Sequence, residues 1–406
     1  MQTNKTLIQI NTVSNTGSTG RIVEGIGVAS IQHDYKSVVA YGRGKAQSQS
    51  ELIRIGSHFN IIQHVIKTRL YDKHGLGSCN ATKKLIEKID QIKPSIVHLH
   101  NLHGYYLNIE LLINYLNSLK IPIVWTFHDC WPITGHCVHF DFVKCDKWKN
   151  ECSKCVQKNR YPASYFLDRS SENFKLKKKL FNSIENLTIV TVSSWLAEIV
   201  KQSFLTNIPL ITINNGIDTS VFQQISNKYL KKKFNLEGRF VILGVASKWD
   251  YRKGLDDFIE LSKLLDDNFA IVLIGLTRKQ IIKLPKNMLG ITRTENLVEL
   301  VGFYNATDVY FNASVEETFG LTTIEAMACG TPVIVYNATA CPEVVSCDTG
   351  FITKKKNLNE VIEAIITVKK MGKDYYSKAC IQRVKSLYDN NKCYSEYLTL
   401  YNSLIC

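Results

Sequence analysis

Residues 240–275 read FVILGVASKWDYRKGLDDFIELSKLLDDNFAIVLIG. Two short apolar runs, FVILGVA (240–246) and FAIVLIG (269–275), enclose a longer stretch in which charged and apolar residues alternate at helical spacing. The runs have the length and composition of buried strands, and the middle has those of a helix. Strand, helix, strand in one direction requires a crossover, so the two strands are expected to be parallel.

The same unit recurs along the chain. Further strands are expected at TLIQINTV (6–13), KSVVAYG (36–42), SIVHLH (95–100), IPIVWTFH (121–128) and LTIVTVSS (187–194). After Leu210 the series restarts with LITINNG (210–216), and continues past residue 275 with LVGFY (300–304), VYFNAS (309–314) and PVIVY (332–336). Two such series imply an α/β protein of two doubly wound, Rossmann-like domains. The expected domains are 1–211 and 212–385, with a hinge near TINNGID (212–218). A Tyr-rich helical tail over 386–406 is expected to pack back on the first domain. Ligands of such sheets bind beyond the carboxyl ends of the strands, which directs attention to the loops there.

A chain of 406 residues is long enough for two cores. Its 45% hydrophobic and 21% charged residues are globular values. The start, MQTNKTLIQINTVSN, lacks the pattern of a signal peptide, and no apolar stretch reaches the length that spans a bilayer. A cytoplasmic protein, soluble or peripheral on the inner membrane face, is expected. The net charge of +14 implies anionic partners. Its densest basic runs, FKLKKKLF (174–181) and KYLKKKF (228–234), read either as solvated helix faces or as contacts with an anionic membrane.

EETFGLTTIEAMACGTPVI (316–334) carries the most specific chemistry. Thr322 and Glu325 have the spacing of a capping box, and Gly330 followed by Pro332 ends the helix. Glu317 then projects from the loop and Glu325 from the first helical turn. A helix amino terminus lies between them, with backbone N–H groups open to a phosphate. One carboxylate on each side of a phosphate suits a nucleotide sugar, whose ribose and hexose hydroxyls flank a diphosphate.

With Phe319-Gly320, Glu325-Ala-Met-Ala, Gly330-Thr-Pro-Val and the later ACPEVV (340–345) in order, this stretch resembles the Glu-x7-Glu signature of family 4 (group 1) retaining glycosyltransferases. ITINNGID (211–218) and VASKWDYRKGLDDFIEL (245–261) are similar to two further segments of that family. The resemblance covers most of the chain and implies the GT-B fold, two facing Rossmann-like domains with a cleft between them. It implies that Lys253 and Lys248 stabilise the leaving diphosphate, that Glu317 binds the donor sugar and Glu325 the ribose. Backbone around Gly320 and Leu321 would hold the diphosphate. NTGSTGR (15–21) would approach diphosphate and acceptor through Gly17 and Gly20, and His128 would stand near the reacting carbon. Asp129 and His103 are acceptor-side candidates.

The implied reaction is hexosyl transfer with retention, from a nucleotide diphosphate sugar to a lipid-linked or oligosaccharide acceptor in surface polysaccharide synthesis. No cofactor is expected to be required. A same-fold nucleotide-sugar epimerase is one alternative. A zinc-containing nucleic-acid binder is the other, but no recognition motif supports it, so no nucleic-acid partner is expected.

Residues 130–155 hold five of the twelve cysteines. Cys137, Cys145, Cys152 and Cys155 end in a Cys-x2-Cys pair, the usual anchor of a zinc site. A structural zinc, with His136 and His139 as alternative ligands, and reduced thiols packed in an irregular loop are the two readings. A similar Cys-rich segment occurs in a subset of bacterial group 1 transferases, which implies a lid or acceptor wall.

Overall fold

The computed structural model describes residues 5–44, 47–225 and 229–405. Within the run 228–234, Lys228 lies outside the described residues. Contacts divide the chain into two units, Met1–Asn214 with Cys393–Cys406, and Asn215–Lys392.

In the first unit the elements are β1 (Thr6–Val13), α1 (Gly17–Ile31), β2 (Lys36–Arg43), β3 (Glu51–Arg54), α2 (His58–Tyr71), α3 (Cys79–Ile92) and β4 (Ile96–Leu99). Then come α4 (Ile109–Ser118), β5 (Ile123–Phe127), α5 (Ser170–Asn182), β6 (Leu187–Thr191), α6 (Ser194–Lys201) and β7 (Leu210–Thr212). The strands form one parallel sheet in the order β3-β2-β1-β4-β5-β6-β7. Its central strands are buried along their length, as strands covered by helices on both faces must be.

The second unit holds α7 (Tyr229–Lys233), β8 (Phe240–Val245), α8 (Leu255–Leu264), β9 (Phe269–Ile274), α9 (Arg278–Ile281), β10 (Met288–Ile291) and α10 (Leu297–Ala306). It continues through β11 (Val309–Asn312), α11 (Leu321–Ala328), β12 (Val333–Tyr336), β13 (Gly350–Thr353), α12 (Leu358–Met371) and α13 (Lys373–Leu387). Its parallel sheet runs β10-β9-β8-β11-β12-β13. The last helix, α14 (Asn390–Ile405), returns to the first unit, where Tyr401 and Tyr397 hydrogen-bond to His98 and Thr126.

Three expectations are corrected. LVGFY (300–304) is not a strand but the middle of α10. Asn296 caps that helix by accepting the Glu299 N–H, and its buried apolar residues read like a strand when periodicity alone is consulted. LITINNG does not open the second series: β7 pairs with β6 as the last strand of the first sheet. Thr322 and Glu325 do not form a capping box: α11 starts at Leu321 after Gly320, whose φ is +102°, and Thr322 is already its second residue.

The order of each sheet reverses between β1 and β4 and between β8 and β11. Those two switch points open the crevices where ligands of doubly wound sheets bind. Backbone is tightly packed beside the second one. Gly275, just past β9, has φ +99°, and a Cβ there would stand 1.6 Å from the Ala246 carbonyl oxygen at the end of β8. Gly275→Ala is therefore expected to cost about 3 kcal/mol or more. Gly238→Ala, at φ +72° with open space, is expected to cost about 1 kcal/mol. Denaturant midpoints of the two variants check the difference.

Candidate functional site

In the second unit the site is assembled from the loops after β8 and β11. Trp249 pins the first loop: its indole N–H donates to the Ile274 carbonyl (2.8 Å) and its ring meets Phe258 edge-on. Asp250 accepts from the backbone and guanidinium of Arg252, both at 3.0 Å. The Val315 N–H donates to the Arg252 carbonyl (2.8 Å) and ties the two loops together. Gly254 then opens α8 at φ +71°, where a Cβ would come within 2.4 Å of the Ala313 carbonyl oxygen. Only glycine lets the chain pass so close to the end of β11.

This approach sets Lys253 against Glu317. The Lys253 Nζ lies 2.8 Å from both Glu317 carboxylate oxygens, and the two side chains are about one-fifth exposed. The Glu317 backbone is fixed in turn. Its N–H donates to Thr339 Oγ1, whose hydroxyl returns a bond to the Glu317 carbonyl, both at 2.8 Å.

Gly320 starts α11 three residues later, and the first N–H groups of any helix lack intrahelical acceptors. Glu325 sits in the second turn, not the first, and accepts from the Tyr304 hydroxyl at 2.7 Å. Thr322 Oγ1 accepts from Tyr310 at 2.8 Å, and Thr323 Oγ1 accepts from the Asn312 amide at 2.9 Å. The helix start is thus braced by side chains of α10 and β11. Lys248 is exposed on the loop after β8, whereas Lys253 is drawn inward by Glu317.

In the first unit the carboxyl ends of β1, β4 and β5 carry the expected residues. Gly17 begins α1 at φ +65°, and Gly20 faces Val13 and the Asn15 amide, 3.1 and 3.2 Å from where its Cβ would be. Asp129 accepts from the Trp131 N–H (2.9 Å) and binds His103 Nε2 (2.6 Å). Burial alone would raise its carboxyl, but His103 outweighs it, with the Trp131 amide assisting, and holds Asp129 down at about 2. His103 Nδ1 meets the Tyr161 hydroxyl at 3.0 Å.

The tautomer of His128 can be traced through its neighbours. The Gln9 amide nitrogen donates to the Val23 carbonyl (2.9 Å), so its oxygen faces His100 Nε2 (3.2 Å). An amide oxygen only accepts, and Nε2 of His100 carries the proton. Burial holds His100 well below its ordinary pKa, so the ring is neutral and Nδ1 accepts. The donor across the 3.1 Å contact is then His128 Nε2–H. Burial also lowers His128 to about 4. His98 lies inward, bonded to Tyr401 and Thr126, away from these loops.

The four cysteines of the insert line one cavity of about 20 Å³ together with His136 and Trp148. A hydrogen bond between Cys155 and Cys137 draws Cys155 down to about 7 and pushes Cys137 up. His136 Nδ1 is 2.7 Å from Asp72. Among the described residues no three or more His, Cys, Asp or Glu side chains are grouped so that they could hold a metal ion. Residue types suit zinc here, but their present arrangement does not close a metal shell.

The basic runs are also resolved in part. Lys177 is buried, donates to the Trp131 and Thr134 carbonyls (2.7 and 2.9 Å) and lies 3.5 Å from the centre of the Trp131 ring. Burial lowers it to about 7. Lys231 and Lys233 pair with Asp308 and Glu299. Neither run is a continuous solvated cationic face.

Residues 226–386 match the family model described as glycosyl transferases group 1, and residues 30–221 match Glycosyltransferase Family 4. The chain belongs to the family 4, group 1 glycosyltransferases. This glycosyltransferase is 23% identical to the putative colanic acid biosynthesis glycosyl transferase WcaC of Escherichia coli K12, over 98% of this chain and all of the relative. It is 26% identical to the capsular polysaccharide biosynthesis glycosyltransferase CapM of Staphylococcus aureus, over 53% of this chain and 62% of the relative. Its fold is that of sucrose-phosphate synthase from Thermosynechococcus elongatus (TM-score 0.73, 14% identity, 98% and 99% coverage). It is also that of Anabaena Alr3699/HepE in complex with UDP and glucose (TM-score 0.69, 14% identity, 98% and 99% coverage). These are GT-B proteins, and both parallel sheets of this glycosyltransferase belong to that fold.

Sequence reasoning missed Tyr304, Tyr310 and Thr339 in this glycosyltransferase, and it read His100 as structural without its contact to His128. Tyr304 was hidden in the segment read as a strand. The others make their contacts across 12, 22 and 28 residues, and no motif spacing signals them.

Proposed function

We propose that this glycosyltransferase moves a hexosyl group from a nucleotide diphosphate sugar to a lipid-linked or oligosaccharide acceptor, with retention, during surface polysaccharide synthesis. The observation that carries the proposal is the Lys253–Glu317 pair beside the amino terminus of α11, with Glu325 one turn further along the same helix. The relatives named for colanic acid and capsule synthesis support the polymer class. The solved neighbour with UDP and glucose makes uridine diphosphate the first nucleotide to test.

In this reading Glu325, held by Tyr304, accepts hydrogen bonds from the ribose hydroxyls. The N–H groups at the start of α11 take the diphosphate, whose charge the helix terminus favours. Glu317 shares its carboxylate between Lys253 and the hydroxyls of the donor sugar. As the bond from the anomeric carbon to the phosphate oxygen breaks, Lys253 meets the growing negative charge on the leaving group. The acceptor oxygen bonds to the anomeric carbon from the face the phosphate leaves, and the acceptor proton passes to the departing phosphate oxygen.

Titration calorimetry with UDP, GDP and ADP, on wild type and Glu325→Ala, tests the donor site. One nucleotide is expected to bind selectively, and the variant is expected to bind it about 10- to 100-fold more weakly, for a net loss of about one charge-assisted hydrogen bond. Equal affinity in the variant would remove Glu325 from the ribose site.

A further inference from the structure

Helix α2 carries an apolar stripe on its outside. Phe59, Ile62, Ile66 and Tyr71 are 65%, 44%, 52% and 50% exposed, whereas His64 and Thr68 face the core. Phe59, Ile62 and Ile66 recur at i, i+3 and i+7 and share one face. At the carboxyl end of the helix a second exposed apolar element joins it: Tyr165, Phe166 and Leu167. That loop is tied down. The Tyr165 N–H donates to the Arg69 carbonyl (2.8 Å), the Arg69 guanidinium lies over the Tyr165 ring, and Lys158 Nζ donates to the Phe166 carbonyl (3.1 Å). A soluble protein rarely leaves so many large apolar side chains together in water without a use for them.

Charge says what covers them. From residue 55 to residue 86 the only acidic residue is Asp72, which is buried on His136 and the Arg169 N–H. From residue 153 to residue 167 there is none, and Asp168, exposed just after the loop, is engaged by the Cys155 and Ser170 N–H groups. Cations border both elements, with Lys67, Arg69 and Lys73 on or just after the helix and Lys158 and Arg160 before the loop. Aromatic and aliphatic side chains bordered by cations, with carboxylates sparse, match the boundary of an anionic bilayer, where rings sit at headgroup depth and cations meet lipid phosphates. An ordinary protein partner gives no reason for so one-sided a charge. A groove of about 450 Å³ beside the stripe, lined by Asn60, Gln63, Lys67, Tyr71 and Ser78, offers polar contacts for headgroups on the same face.

We infer that α2 and the 165–167 loop form a membrane-docking face that inserts shallowly into anionic lipid. The lysine runs 174–181 and 228–234 are not this footprint, because Lys177 is buried and Lys231 and Lys233 are paired within the fold. The face shares no residue with the donor site, so the two assignments fail independently.

Co-sedimentation of the full chain with phosphatidylcholine vesicles, with and without about 30% phosphatidylglycerol, tests it. Wild type is expected to sediment with the anionic vesicles and to be released by salt. Ile62→Ser/Ile66→Ser/Phe166→Ser is expected to lower the partition coefficient about tenfold or more. Lys178→Ser/Lys179→Ser, on the exposed side of α5, is expected to change it by less than about threefold. Nucleotide binding by both variants reports that they are folded. Absence of binding to anionic vesicles, or unchanged binding by the triple variant, would overturn the assignment. So would a wild-type dimer in sedimentation velocity that the same triple substitution dissolves, since the face would then be an interface between copies.

Discussion

Lys253→Met is expected to lower kcat about 100- to 1,000-fold while changing the KM for the donor by less than about tenfold. The asymmetry follows from where charge develops. In the proposed ground state the amino terminus of α11 holds the diphosphate and Glu325 the ribose, and the substitution touches neither. Lys253 differs because its ammonium stands at the carboxyl end of the β8 loop, already turned to Glu317 with two bonds of 2.8 Å. A compact cation there gains most when the phosphate oxygen acquires full charge, which happens only as the glycosidic bond breaks. Methionine keeps most of the aliphatic stem and removes the charge.

A fall in turnover could also come from damage to the fold, because the variant strands the Glu317 carboxylate. Removing one partner of a fully buried pair costs about 3–5 kcal/mol. Both side chains keep about one-fifth of their exposure, so roughly half that cost is expected here. Lys253→Met/Glu317→Gln separates the two effects. Glutamine needs no counter-charge, so the double variant is expected to regain most of the lost stability in a denaturant titration and none of the turnover. A kcat for Lys253→Met within about threefold of wild type would remove Lys253 from the chemistry.

Much of this arrangement was legible in the sequence, and the exceptions share causes. Central strands such as β8 and β9 are apolar throughout because both faces are covered, and such runs stand out. The strands that were missed, β3, β10 and β13, have four residues each and lie at sheet edges, half exposed. Short edge strands with mixed burial leave no apolar run to detect. The segment LVGFY failed for the opposite reason: a buried helix face looks like a strand over five residues. The supposed capping box failed because Gly320, free to adopt a positive φ, starts the helix before Thr322. For the site, Lys253, Glu317 and Glu325 could be named from motifs. That Lys253 and Glu317 pair was not legible, since they are 64 residues apart and meet only when β8 and β11 become neighbours. The link from Gln9 through His100 to His128 is invisible for the same reason.

Those buried rings lead to the second large effect, a steep loss of stability in mild acid confined to one part of the chain. All ten histidines lie between residues 33 and 139, in the first unit, and the second unit has none. Burial lowers His64 and His128 to about 4, and holds His74, His98 and His100 well below the ordinary value near 6.5. A base with a depressed folded pKa contributes stability above its unfolded pKa. That contribution drains away as pH falls from about 6.5 towards 4, because the unfolded chain takes up protons that the folded chain refuses. Each such ring removes up to about 1.4 kcal/mol per pH unit, and five remove up to about 7. His136 does not offset this loss, because its own window lies above 6.5. Burial lowers it, but Asp72 raises it further, so it contributes stability below 6.5 that is lost on going to higher pH. All five slopes therefore act on acidification, against a typical total stability of about 5–15 kcal/mol. The first unit is therefore expected to lose most of its stability between pH 6.5 and pH 5, while the second changes little. Tryptophan reports both: Trp125, Trp131, Trp148 and Trp195 lie in the first unit and Trp249 in the second. Urea titrations of wild type and Trp249→Phe at pH 7.5, 6.5 and 5.5 should show the main fluorescence transition moving steeply to lower urea with acid. A midpoint that stays constant over that range would mean that the folded rings take up protons as freely as the unfolded ones, and that the His100–His128 contact does not hold a neutral pair.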